Sequence, residues 1–150
     1  MKSILLTGAR GFVGSYFLKK YTSSYSIQTF SFLKDDFLML HVNDVDVVVH
    51  LSALVHQMSG ASAQAYEDIN VTQTLALACK AKESGVRHFI FMSTVKVYGE
   101  ESDEVYTEKV TCKPQDEYGK SKLKAEKKLQ KLEDDNFKIS IVRTPIVRLS

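Results

Sequence analysis

Apolar residues gather in five short runs along the chain: Ile4-Leu5-Leu6, Ile27 to Phe32, Val45 to Leu51, Phe89-Ile90-Phe91-Met92 and Ile139-Ser140-Ile141-Val142. Polar residues hardly alternate with apolar ones inside them, which is the pattern of strands covered on both faces. Segments of helical period lie between the runs. Phe12 to Tyr21 carries Val13, Phe17 and Leu18; Tyr66 to Ser84 carries Val71, Thr74, Leu75, Ala78 and Ala81; Asp116 to Leu132 carries Tyr118, Ala125, Leu129 and Leu132. Gly85 closes the second segment, because glycine readily takes the left-handed turn that ends a helix. This alternation predicts an α/β domain, a doubly wound parallel sheet with helices on both faces.

The stretch from Phe32 to Val45 breaks the rhythm. It is too short for a full strand plus helix, so either the crossover is short or one βα unit is missing. Lys34-Asp35-Asp36 reads as a turn. Phe37-Leu38-Met39-Leu40 fits a helical turn or a short strand equally well.

Size and charge then limit the function. A chain of 150 residues is one domain by the usual prior and can bury a core without disulfide or metal staples. Twenty basic side chains against 18 acidic ones leave a net charge of +2, which excludes nucleic-acid binding driven by bulk charge. Lys120, Lys122, Lys124, Lys127, Lys128 and Lys131 are interleaved with or followed by Glu126, Glu133, Asp134 and Asp135, so they read as a solvated helix face. No apolar run is long enough to span a membrane, and the N-terminal run ends in a glycine motif rather than a signal-peptide cleavage site. Cys79 and Cys112 lack metal-ligand spacing, and His41 and His88 form no cluster, so no metal site is expected. His50, inside a strand-like run, reads as structural. Free thiols fit a cytosolic compartment.

The candidate chemistry starts at Thr7-Gly8-Ala9-Arg10-Gly11-Phe12-Val13-Gly14, between the first strand and the first helix. Glycines placed there allow a tight turn, a close backbone approach to a pyrophosphate, and tight helix–strand packing; this is the Rossmann arrangement. The helix start adds free N–H groups and a partial positive charge. Further on, Tyr118 and Lys122 are one helical turn apart and share a face. A nearby ammonium, and any cation bound beside the ring, would both favour the phenolate and lower the tyrosine pKa. Thr94 lies at the carboxyl end of a parallel strand, where such sheets place their chemistry.

The glycine spacing and several later segments resemble the extended branch of the short-chain dehydrogenase/reductase family, the UDP-glucose 4-epimerase and sugar dehydratase type. Asp46-Val47-Val48-Val49-His50-Leu51-Ser52-Ala53 resembles its fourth strand, which ends beside the cofactor ribose. Asn70 to Leu75 resembles the following helix, Gly85 to Gly99 the next strand and its catalytic end, and Pro114 to Lys122 with Glu126 the active-site helix. Arg143-Thr144-Pro145 resembles the start of the segment that contacts the nicotinamide. The resemblance implies an NAD(P)-binding Rossmann domain over residues 1–150, with the substrate domain absent or truncated. It implies NAD or NADP as cofactor, held by Gly8, Arg10, Gly11, Phe12, Val13, Gly14, Leu51, Ser52, Ala53, Tyr118, Lys122 and Pro145. Asp36, in Asp36-Phe37, matches an acid–apolar pair that cradles adenine in relatives. Thr94, Tyr118 and Lys122 match the family's catalytic triad.

Two departures bear on the chemistry. The related 4,6-dehydratases follow the Ser/Thr with an Asp-Glu pair, whereas Val95-Lys96 stand here, which disfavours dehydration. The second strand ends at Ser31-Phe32 without the acidic residue that usually bonds the ribose of NAD, and Arg10 is placed to meet a 2′-phosphate. Leu54-Val55-His56-Gln57-Met58 resembles a sugar-lining loop, with His56 more readily a solvated loop residue. The expected activity is reversible hydride transfer at C4 of a UDP-hexose, a 4-epimerase of the cytoplasm, and a homodimer is an implied assembly. A 4-keto-sugar reductase and a non-catalytic dinucleotide-binding module remain as alternatives.

Overall fold

In the computed structural model, residues 1–55, 60–99 and 105–145 are described. The strands are β1 (Ser3–Thr7), β2 (Ser26–Phe30), β3 (Val47–His50), β4 (His88–Thr94) and β5 (Lys138–Thr144), all parallel, in the order β2-β1-β3-β4-β5. Helix α1 (Phe12–Tyr21) joins β1 to β2. A continuous helical stretch joins β3 to β4, made of α2 (Ala63–Tyr66), a π-helical segment (Glu67–Gln73) and α3 (Thr74–Glu83). Helix α4 (Glu117–Gln130) joins β4 to β5.

The register explains why the strand sequences are apolar throughout. Leu5 pairs with Val48, and Val48 with Phe89. These three are fully buried and point to one face, where they meet Leu77, Ala78 and Ala81 of α3 and Ala125 and Leu129 of α4. Their neighbours Ile4, Leu6 and Val49 point to the other face, against Phe17 and Leu18 of α1. A one-residue slip of any strand would exchange the two sets.

The irregular stretch resolves into a short crossover. Residues 31–46 hold one 3-10 turn, Phe37–Met39, and no strand or α-helix lies between β2 and β3. A six-stranded doubly wound sheet has order 3-2-1-4-5-6. Here β2 ends the sheet, so among the described residues the strand that would flank it is missing. Leu40, Val42 and Val45 of the crossover are buried in the main core with Phe30. Phe32 stacks on Phe37 at 5.7 Å and meets Phe30 edge-on at 5.0 Å.

The remaining differences are at element ends. β2 stops at Phe30, two residues before the expected end, because the Ser31 N–H is taken by the Asp35 carboxylate at 2.8 Å. The second helical stretch starts at Ala63 rather than Tyr66, because Ser62 caps it by accepting from the Ala65 N–H at 3.1 Å. Gly85 has φ +84° and ends α3, as its position in the sequence implies. Asp116 caps α4 through the Gly119 N–H at 2.7 Å.

Candidate active site

The glycine loop is shaped by contacts that admit no side chain. Gly8 has φ +71°, and a Cβ there would lie 2.8 Å from the Leu51 carbonyl carbon and the Ser52 nitrogen. A Cβ on Gly14 would lie 2.0 Å from the Gly8 oxygen. Gly11 begins α1, and no side chain caps the amides of the first turn, which also lacks acidic residues. Thr7 completes the cradle from below. Its hydroxyl accepts from the Leu51 and Ser52 N–H groups at 3.1 and 3.2 Å, so its own proton goes to His50 Nδ1 at 2.7 Å. The His50 proton is then on Nε2, donated to the Thr74 hydroxyl at 2.9 Å. Burial first, and Lys122 second, lower the His50 pKa to about 3. His50 is thus a neutral strut between β1, β3 and α3.

A cavity of about 390 Å³ opens over this loop, lined by Gly8 to Gly11, Thr29 to Ser31, Leu33 to Asp35, and Ser52. Uncapped helix amides, a glycine cradle and a cavity at the carboxyl ends of β1 and β2 fit a dinucleotide, with the pyrophosphate at the α1 start. Arg10 and Asp35 both line the cavity. Asp36 does not; its carboxylate accepts from the Leu38 N–H at 2.9 Å and caps the 3-10 turn. Phe12 is exposed and Val13 half-buried on the first turn of α1, while Leu51, Ser52 and Ala53 follow β3, Ser52 among them lining the cavity. A larger cavity, of about 550 Å³, lies away from the glycine loop against β5, between Tyr98, Tyr106 and Arg143.

Thr94 and Tyr118 meet at the carboxyl end of β4, with Lys122 one turn further along α4. Thr94 is the last residue of the strand, and its hydroxyl accepts from the Lys96 N–H at 3.1 Å as the 3-10 turn Val95–Tyr98 begins. The Thr94 and Tyr118 side chains are hydrogen-bonded to each other. Burial raises the Tyr118 pKa; the Thr94 bond opposes this, and Asp116 and Tyr66 add to it. This differs from the lowering expected from sequence, because Lys122 is not among the groups that act on Tyr118, and the nicotinamide charge belongs to the cofactor. Lys122 is 2% exposed, and its ammonium lies 4.2 Å from the centre of the Phe91 ring. Burial lowers its pKa to about 7, against the pull of Glu126. Pro145 follows β5 and is exposed. His56 of the proposed sugar loop lies outside the described residues.

Two arrangements escaped the sequence reading. Asn70, buried in the π-helical segment, accepts from the Leu54 N–H at 2.8 Å and donates to the Leu54 oxygen at 2.9 Å and to the Ser121 hydroxyl at 3.0 Å. It ties the loop after β3 to α4 one turn from Tyr118. An asparagine in the middle of an apolar helical face was the available signal, since buried amides need partners. The second is the pair Glu126–Arg143, 2.6 Å between Oε2 and Nη2. Among the described residues no group of three or more His, Cys, Asp or Glu is placed to hold a metal ion, and no helix is long and apolar enough to cross a membrane.

Comparison with known proteins agrees with this geometry. The chain is 36% identical to a UDP-glucose 4-epimerase of Vibrio cholerae over 170 residues, covering 97% of this chain and 52% of that protein. The aligned stretch is longer than the chain itself, as expected if the chain lacks residues the relative has. A dTDP-D-glucose 4,6-dehydratase of Mus musculus is 27% identical over 157 residues, covering 83% of this chain and 44% of that protein. The structure of a UDP-glucuronic acid 4-epimerase from Bacillus cereus in complex with NAD superposes with a TM-score of 0.80 at 27% identity, over 95% of this chain and 56% of that one. The chain spans about half the length of the curated relatives it matches. With its parallel sheet, its glycine loop and a match that runs from residue 4 to residue 147, the chain belongs to the NAD dependent epimerase/dehydratase family.

Proposed function

We propose that these residues carry the dinucleotide site and the proton-transfer residues of a nucleotide-sugar 4-epimerase acting on a UDP-hexose. The observation that carries this reading is the meeting of Thr94 and Tyr118 at the carboxyl end of β4, with Lys122 one turn away on α4, at the end of the sheet where the glycine loop opens. NAD, when bound, supplies the acceptor and donor of the C4 hydride. Tyr118 takes the proton from the C4 hydroxyl and returns it, and Thr94 holds the same oxygen. Lys122 in its charged form would hold the nicotinamide ribose hydroxyls. Val95 and Lys96 follow Thr94, so no carboxylate pair is present there for dehydration.

Gly8, Gly11, Phe12, Val13 and Gly14 would hold the pyrophosphate, with Leu51, Ser52 and Ala53 beside a ribose and Pro145 near the nicotinamide. Arg10 is placed for a 2′-phosphate if NADP is used. The free thiols support a cytosolic location, and the resemblance supports a homodimer, which sedimentation equilibrium tests.

The activity test is incubation with UDP-glucose and a catalytic amount of NAD, with the sugar products separated by chromatography. Interconversion of the C4 epimers without net cofactor change is the expected result. Stoichiometric consumption of NADH on a 4-keto sugar would instead indicate a reductase. Cofactor binding without turnover of either kind would leave a dinucleotide-binding module.

A further inference from the structure

Glu126 has no part in the reaction proposed above, yet it is one of the most buried charged groups, 1% exposed. It lies one turn beyond Lys122 on the same face of α4. Two charged side chains buried together are costly unless each is matched. Arg143 of β5 grips the carboxylate with two prongs, Nε to Oε1 at 3.0 Å and Nη2 to Oε2 at 2.6 Å. Its third nitrogen donates to the Tyr98 hydroxyl at 3.0 Å. Ser93, the residue before Thr94, donates to Oε1 at 2.5 Å. One carboxylate therefore joins α4, β4 and β5, and through Arg143 the turn after β4, at the point from which Thr94 projects.

We propose that Glu126 is a positioning residue for the Thr94–Tyr118–Lys122 site: gripped by Arg143 and Ser93, its carboxylate fixes the end of β4 and stands as the counter-charge one helical turn from Lys122. The inference rests on the reading of Lys122 given above. The groups around Lys122 are few. Glu126 faces it from α4, His50 from β3, and the Phe91 ring from β4. Arg143 and the Tyr98 hydroxyl stand behind Glu126, with Cys112 facing Arg143 from the loop before α4. Asp116 and Tyr66 act on Tyr118. His50 stays neutral above pH 4, so Glu126 and Arg143 supply the charges that vary with substitution. They have opposite signs, and the Arg143 charge offsets part of the Glu126 charge felt by Lys122.

The test is an NMR titration of the Lys122 side chain in the ligand-free chain, wild type beside Glu126→Gln, Arg143→Gln and Ser93→Ala. The wild-type midpoint is expected at about 7. Glu126→Gln moves it down by about one unit or more. Arg143→Gln moves it up, since it removes the cation that offsets the carboxylate, and Ser93→Ala, which changes no charge, leaves it near the wild-type value. A purely structural role would not give shifts of opposite sign. An unmoved midpoint in a folded Glu126→Gln chain, or shifts of one sign in the two charge variants, overturns the proposal. If both charge variants fail to fold, Glu126→Asp, which keeps the charge and draws it back by one methylene, decides: a downward shift supports the proposal and an unmoved midpoint overturns it. The titration needs neither cofactor nor turnover, so an inactive but correctly titrating chain would count against the epimerase reading alone.

Discussion

The hydroxyl of Thr7 and Nδ1 of His50 meet at 2.7 Å across two adjacent strands, and both side chains are buried. The bond fixes β1 to β3 directly beneath the glycine loop, and burial keeps the imidazole neutral. Folded His50 titrates at about 3 against 6.5 when free. Between those values the unfolded chain binds more protons than the folded one, so stability falls as pH drops from 6.5 toward 3. The loss is of the order of a few kcal/mol, a large share of what a domain of this size has. Urea unfolding at pH 7 and pH 4.5 should show this difference, and it should shrink in His50→Gln.

Tyr118 is expected to be needed for chemistry and dispensable for binding. Tyr118→Phe removes the proton acceptor and keeps the ring, which packs 6.4 Å from Tyr66. Turnover of the nucleotide sugar should fall by about 10²–10⁴-fold, with NADH affinity within a few-fold of wild type. The two are measured separately by steady-state kinetics and by fluorescence titration.

Gly14 has no room for one more carbon. The Cβ of Gly14→Ala would lie 2.0 Å from a backbone oxygen, so α1 must move off the loop. A loss of about 2 kcal/mol or more is expected, together with loss of NADH binding. Denaturant unfolding and the same fluorescence titration read both.

Asn70→Ala would leave the Leu54 N–H and C=O without the partner that satisfies both. Part-buried polar groups stripped of their bonds cost about 1–3 kcal/mol each. The substitution should destabilise the chain by about 2–3 kcal/mol and speed hydrogen exchange at the Leu54 amide in particular.

Most of the site was legible because it is local. The glycine loop is a contiguous string at a strand–helix junction, and Tyr118 and Lys122 share a helix face by spacing alone. The strands were legible from their unbroken apolar runs. The 31–46 crossover showed in sequence only as a shortage of residues. Its path depends on Leu40, Val42 and Val45 finding the main core, which no local pattern encodes. The π-helical segment was hidden for a similar reason, since its buried Asn70 bonds to a loop and to another helix. The Glu126–Arg143 pair joins α4 to β5, and nothing in the spacing of the two residues announces it. The upward shift of Tyr118 follows from burial, which the sequence does not measure.

The measurement that bears most directly on the central claim is an NADH titration of this chain followed by amide NMR. Saturation at one site per chain is predicted, with the largest shifts at Gly11 to Val13, at Leu51 and Ser52, and at Lys122. Absence of saturable binding, or shifts confined to the cavity between Tyr98, Tyr106 and Arg143, would contradict the assignment of the glycine loop and the β4 end to one dinucleotide site.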